Sequence, residues 1–339
     1  MQDKLKSVAE SMRQTETELR GVALDCRNAN SRLSESSESV LIHPVSSKPF
    51  SISVAAVDGG IIADRVHGSD IIIGKSVSVN FVYCDSQFVS CHHLPDRFPE
   101  TKIEIKLGLD EHEALVFRQL FRLQLEISAA INAVEKFKPD LLLLDGSILP
   151  LGSDRPSKES SLFAEYSKLM ESYKQLFALC RQHGCQLAGI IKDSRGKRLM
   201  DLLGKDRLNI SDTFFTNFLL KEKERTAIFP YASENKKTPV MKDLGDFSDS
   251  VFLFYLKPSD HDLPLRIEFF DCGKSIGEIA SILLSLCSLS SNFAYPAILI
   301  EADLCAAMDP LEMERVKKEL FMLSKGAMQE LRRNSRPFR

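Results

Sequence analysis

The chain has no surplus of charge of either sign: its 339 residues sum to a formal −3. A global basic field of the kind that gathers nucleic acid is absent, although a local basic groove can coexist with an acidic site. Long apolar runs are missing as well. The most apolar late stretch, Ile279 to Leu289, is short and interrupted by serines, so nothing reads as spanning a membrane. The Met1-Gln-Asp-Lys start lacks the apolar core of a secretory signal. The eight scattered cysteines are therefore expected to be reduced thiols in a cytoplasmic setting rather than a disulfide framework. No repeat of fixed period occurs, which excludes solenoids and propellers.

Two familiar motifs are also lacking. Gly74-Lys75-Ser76 is not a phosphate loop, because Ser69 stands where the first glycine is required and Gly68 is out of register. Cys84, Cys91, His92 and His93 have no second Cys or His pair at finger spacing.

What is present is a globular composition, 44% hydrophobic and 27% charged, with length enough for a sizeable core. Residues 1 to about 33 read as a polar helix with a thin apolar stripe (Leu5, Val8, Met12, Leu19) that needs another surface, such as a second subunit. Ser34 to Ser47 reads as a linker. A strand Ser51–Val57, a turn at Asp58-Gly59-Gly60, and stretches at Ile71–Ile73 and Val77–Tyr83 suggest a meander. After it come a helix over 110–137, a strand Leu141–Leu144, a helix over 160–183 and a strand Gln186–Ile191. The pattern predicts a helix over 197–223, strands Val251–Tyr255 and Leu265–Phe270, a helix over 276–288 and an amphipathic helix Leu311–Arg333. Such an order indicates a mixed α/β sheet with helices on its faces.

Three apolar strands run directly into acidic residues: Val54–Val57 into Asp58, Leu141–Leu144 into Asp145, and Ala188–Ile191 into Lys192-Asp193. Apolar runs of this kind suit strands covered on both faces, and ligands of open α/β sheets bind at the carboxyl edge. An Asp-Gly turn alone is a common way to end a strand. Two of them at the ends of buried strands suggest carboxylates crowded into one volume, where divalent cations would offset the repulsion. Glu126 lies beside the apolar stripe of its helix, either facing the core or reaching along its edge to solvent. Lys192-Asp193 could contribute a ligand, a cation for a phosphate, or only a local ion pair. Asp212 and Asp303 are further candidates.

Taken in order, Val57-Asp58-Gly59-Gly60, Glu126, Leu144-Asp145-Gly146-Ser147, Ile191-Lys192-Asp193-Ser194, Ile210-Ser211-Asp212 and Tyr295-Pro296-Ala297-Ile298-Leu299-Ile300-Glu301-Ala302 resemble the motif series of the NurA nuclease family. The resemblance covers most of residues 50 to 310. It implies a ribonuclease-H-like core, manganese or magnesium as cofactor, and 5′-to-3′ exonuclease with single-strand endonuclease activity on DNA. It further implies a homodimer working with a HerA-type hexameric ATPase in DNA-end resection and repair, in a prokaryotic cytoplasm, archaeal before bacterial. By the same resemblance Asp58, Glu126 and Asp145 would be the metal ligands, while Lys192, Asp193 and Asp212 match later motif positions. The family's late motif usually has histidine after the Glu-Ala pair; this chain has Asp303.

These readings give three segments: a helix and linker (1–47), a nuclease domain (48–310), and a C-terminal helix with a basic tail (311–339). Two ions roughly 3.5–4 Å apart would activate water and stabilise the leaving oxygen, with Lys192 at the scissile phosphate. Arg195, Lys197 and Arg198 could contact DNA, and Phe214 and Phe215 could stack on bases or belong to the core. A dimeric adaptor that regulates a ring ATPase without cutting is the alternative. A phosphatase fits less well, since no Asp-x-Asp pair follows the first strand.

Overall fold

Runs of Val and Ile build the longest strands, a hairpin of β2 (Ile52–Val66) and β3 (Ser69–Cys84). The computed structural model describes residues 2–29, 33–66, 68–233 and 237–325. In it the hairpin register is unbroken from Ile52 opposite Tyr83 to Val66 opposite Ser69. The turn expected at Asp58-Gly59-Gly60 is therefore absent, and Asp58 lies in mid-strand opposite Val77. Neither glycine adopts a positive φ, so nothing reverses the chain there. The two stretches expected within 71–83 are likewise one strand.

β4 (Gln87–Leu94) and β5 (Lys102–Leu107) pair with the two halves of β3. Helix α2 (Glu111–Phe137) is capped by the Asp110 side chain and ends on Lys138 at φ 47°, ahead of Pro139. It leads to β6 (Leu141–Asp145), which lies parallel to β2. Helix α3 (Phe163–His183) then leads to β7 (Gln186–Ile191), parallel to β6. The order β4-β3-β2-β6-β7, antiparallel first and then parallel, is the ribonuclease-H-like arrangement. Beyond β7 the sheet continues antiparallel. β11 (Leu265–Phe270) and β10 (Val251–Lys257) come next, then β8 (Glu224–Thr226) and β1 (Ile42–Pro44), and the two-residue β9 (Phe229–Pro230) also pairs with β10. β1 falls within the segment read as a linker.

Strand alternation divides the core. Ala55, Val57, Leu142, Leu144 and Leu187 pack under α2 and α3. Val54, Ala56, Leu141, Leu143, Ala188 and Ile190 pack under α7 (Ile276–Leu286) and α8 (Ala297–Ala306). A third cluster joins the last part of α1 (Gln2–Asn28) to α5 (Asp212–Leu219), with Leu19, Ala23 and Cys26 buried. Part of the N-terminal stripe is thus covered by its own chain, while Leu5, Val8 and Met12 stay exposed. Helix α9 (Pro310–Leu323) lies on the outer half of the hairpin through Met313; residues 326–339, with the end of the expected helix and the basic tail, lie outside the described residues.

The single helix expected over 197–223 is broken into α4 (Arg198–Leu202), a 3-10 turn at Asp206–Leu208, and α5. Gly204 and Asn209 at positive φ interrupt it, and a short helix α6 (Pro239–Leu244) follows β9. Among the described residues no helix is long and apolar enough to cross a membrane.

The glycine pair has a packing role instead. A Cβ on Gly60 would stand 2.2 Å from the Ala306 carbonyl oxygen at the end of α8. Gly60→Ala should lower stability by about 1–3 kcal/mol through backbone displacement, read as a fall in denaturation midpoint. An unchanged midpoint would show that α8 does not bear on this strand in solution.

Candidate active site

The parallel register sets Val57 beside Leu144, so the next residues, Asp58 and Asp145, stand level on neighbouring strands. Both continue the alternation that faces α7 and α8. Two contacts orient Asp145. The Tyr295 hydroxyl donates to its Oδ1 at 2.8 Å, and the Lys192 ammonium, just past β7, donates to its Oδ2 at 3.0 Å. The same ammonium lies 4.1 Å from the centre of the Tyr295 ring, a cation–π contact that holds it in place.

Glu126 reaches the acids from α2, on the opposite layer. It can do so because Gly59 has no side chain: a Cβ there would stand 2.9 Å from Glu126 Cγ and 3.2 Å from its Oε1. Of the two sequence readings of Glu126, the inward one holds, with 12% of its side chain exposed. Arg122, one turn earlier, donates to Glu126 Oε1 at 2.7 Å. From α8, Asp303 shares a hydrogen bond with Asp58. The position where a histidine was expected thus brings a fourth carboxylate to the cluster.

Burial, then the charges of Asp145 and Asp303, push the Asp58 carboxyl up to about 7, against the Gly59 N–H that favours its ionised form. Burial pushes Glu126 up to about 8; Arg122 opposes this, and Asp58 and Asp145 add to it. Proton affinities raised this far mark a place short of positive charge. The donors are all carboxylate oxygens, hard ligands that fit magnesium or manganese and not a thiophilic ion. Arg122 and Lys192 supply part of the missing charge and each draws one acid toward itself. Among the described residues the acids do not form a trio with ligand atoms within 4.8 Å of one another; that closeness occurs elsewhere, at His93, Glu301 and Cys305.

A groove of about 840 Å³ opens beside the acids, lined by Arg122, Glu126, Asp145, Asp193, Arg195 and Arg266 among others. Asp193 is on its wall. Asp212 is not in the groove. Its carboxylate accepts the Leu199 and Met200 backbone N–H groups and the Tyr255 hydroxyl, so it anchors the start of α4. Of the expected basic patch, Arg195 lines the groove, whereas Lys197 is bonded to Asn209 and Arg198 to Glu35. Phe215 is core, fully buried; Phe214 is 41% exposed and packs edge-on against Phe218.

Sequence reasoning passed over Arg122 and Glu268, and gave Tyr295 no role beyond its place in the late motif. Arg122 is signalled by its i−4 spacing from Glu126. Glu268, almost fully buried on β11, accepts from the Ser147 hydroxyl at 2.6 Å and from Arg266 at 2.8 Å, bracing the loop after Asp145. Its signal is the charged pair Arg266-Ile267-Glu268 inside an apolar strand.

A family model described as the NurA domain matches residues 52–306. Among solved structures, the NurA nuclease from Sulfolobus solfataricus superposes with a TM-score of 0.65 at 16% identity, over 95% of this chain and 96% of that one. A NurA bound to dAMP and manganese gives 0.58 at 12% identity, over 94% and 96%. A NurA with manganese gives 0.56 at 12% identity, over 94% and 98%. At such identities the likeness is one of fold. No curated protein matches the chain.

The raised Asp58 carboxyl makes a stability prediction. Its protonated form is favoured by folding, so its contribution is full below the ordinary value of about 3.9 and is lost as pH rises through about 7. With a chelator present, Asp58→Asn should melt higher than the parent, by a margin that widens from pH 4 to 7 and then levels. A margin independent of pH would mean that Asp58 is solvated and not crowded.

Proposed function

The chain belongs to the NurA nuclease family, and from that premise we propose that it is a deoxyribonuclease dependent on manganese or magnesium. The observation that carries this reading is the meeting of Asp58, Glu126 and Asp145, from two strands and a helix of different layers, beside a groove that Arg122, Arg195 and Arg266 also line. A scaffold gains nothing from buried carboxyls that repel one another, which weighs against the adaptor alternative.

Asp58, Glu126 and Asp145 would hold the divalent ions, a pair in our reading, which when bound supply Lewis-acid activation of water and of the scissile phosphate. The residues of the chain do the rest. Tyr295 fixes the rotamer of Asp145, and Arg122 fixes that of Glu126. Lys192, 38% exposed at its side chain, can turn toward a phosphate oxygen and offset its charge. The Asp303 carboxyl, hydrogen-bonded to Asp58, is placed to take up or return a proton. Arg195 lines the groove where the DNA backbone would pass.

We extend the proposal to 5′-to-3′ exonuclease and single-strand endonuclease activity in DNA-end processing, with a HerA-type hexameric ATPase as partner in a prokaryotic cytoplasm. The family resemblance supports these points. In this reading 48–310 is the nuclease domain, close to the matched span, and the flanking segments 1–47 and 311–339 serve assembly. The exposed Leu5, Val8 and Met12 on α1 suit a homodimer contact.

Manganese-dependent degradation of 5′-labelled DNA should fall by roughly 100-fold or more in Asp58→Ala, the scale of losing a positioned catalytic group. Equal rates in both proteins reject the assignment. For binding, Arg195→Ala should make the slope of log affinity against log salt shallower by about 0.7–0.9 for each phosphate it no longer neutralises, whereas Arg198→Ala, which only frees Glu35, should leave the slope unchanged. The reverse pattern would move the DNA path away from the groove.

A further inference from the structure

The geometry points to a second metal site, separate in chemistry from the carboxylates: His93, Glu301 and Cys305, with Cys91 as fourth ligand, form a site for a thiophilic divalent cation of the zinc type.

The ligands come from two elements with the right periods. Cys91 and His93 are two apart on β4 and share a face, and Glu301 and Cys305 are four apart on α8 and share a face. One ligand atom each from His93, Glu301 and Cys305 lies within 4.8 Å of the other two. His93 Nε2 is 3.1 Å from Glu301 Oε1, and that oxygen is 3.6 Å from Cys305 Sγ. Cys91 Sγ is 3.8 Å from the same Nε2. Metal–ligand bonds of about 2.0–2.3 Å in a tetrahedron place neighbouring ligands roughly 3.3–3.8 Å apart, so His93, Glu301 and Cys305 stand near coordination spacing, and Cys91, outside that trio but beside the His93 ring, completes the set by turning its side chain toward the ion.

Burial is also suitable: Cys305 is 6% exposed, while the side chains of His93 and Glu301 are 18% and 21% exposed, shielded yet open to an arriving ion. Arg97, 3.3 Å from Glu301 Oε1, is 59% exposed and can swing into solvent when a cation takes that oxygen. Two sulfurs and one imidazole select zinc-type ions over the hard ions suited to the acid groove. The finger spacing missing from the sequence is supplied by the fold, because α8 brings its ligands from about 200 residues downstream of β4. Glu301 and Asp303 lie about 200° apart around the helix axis, so an ion on one side would tie to β4 the helix that presents Asp303 to Asp58 on the other.

The test uses the full chain, stripped with a chelator and titrated with Co2+ as a spectroscopic probe, then with Zn2+. The expected result is a thiolate-to-cobalt charge-transfer band saturating at one equivalent and abolished by Zn2+. The band should be lost in Cys305→Ser and in His93→Ala, weakened in Cys91→Ser, and kept in Asp58→Asn, which isolates this site from the acids. Absence of the band in the parent chain, or its persistence in both His93→Ala and Cys305→Ser, overturns the proposal. If Cys305→Ser fails to fold by circular dichroism, the folded His93→Gln chain decides by the same band.

Discussion

Like charges held side by side under partial burial are the constraint around which this molecule is arranged. Asp58 and Asp145 are neighbours because β2 and β6 run parallel in a register that makes them level. Burial, joined by the charges of neighbouring carboxylates, raises the proton affinity of Asp58 and of Glu126. Such an arrangement is costly without compensation. The chain compensates partly with its own cations, Lys192 on Asp145 and Arg122 on Glu126. The remaining deficit of positive charge is what a divalent ion would meet.

The architecture around the acids serves that crowding. Gly59 leaves room for Glu126 to come in from the α2 layer, and Gly60 leaves room for α8 to close from the other side. Two adjacent residues without side chains thus let helices of both layers approach one strand, where any larger residue would hold them off. Beyond β7, the antiparallel extension contributes Glu268 and Arg266, which brace the loop after Asp145 and meet the loop containing Gly196.

α8 connects the two chemistries of the molecule. One side presents Asp303 to the acid cluster, and another presents Glu301 and Cys305 to β4. Hard oxygen donors are gathered at one place and a mixed sulfur, nitrogen and oxygen set at the other, so the two places suit different ions. The helix between them is short, and Ile298, Leu299, Ala302 and Ala306 seat it on the sheet.

The sequence by itself determined the elements near the site and singled out Asp58, Glu126 and Asp145, which the fold makes neighbours. Apolar runs ending at Asp145 and at Lys192-Asp193 marked β6 and β7, and the 3.6-residue stripe around Glu126 marked α2. These signals are local, because strand and helix periodicity depends only on neighbouring residues. The same locality explains the misreadings. Asp58-Gly59-Gly60 has turn composition, yet pairing along the whole of β3 keeps it extended. Asp212 has the look of a site acid in the sequence, yet it is the anchor from which α4 hangs. Only the tertiary structure decided that Asp303 reaches Asp58, that Tyr295 orients Asp145, and that His93 meets Cys305. Those contacts join residues on different elements, most of them far apart in the chain, and their distances are set by how helices settle on the two faces of the sheet, which no local pattern encodes.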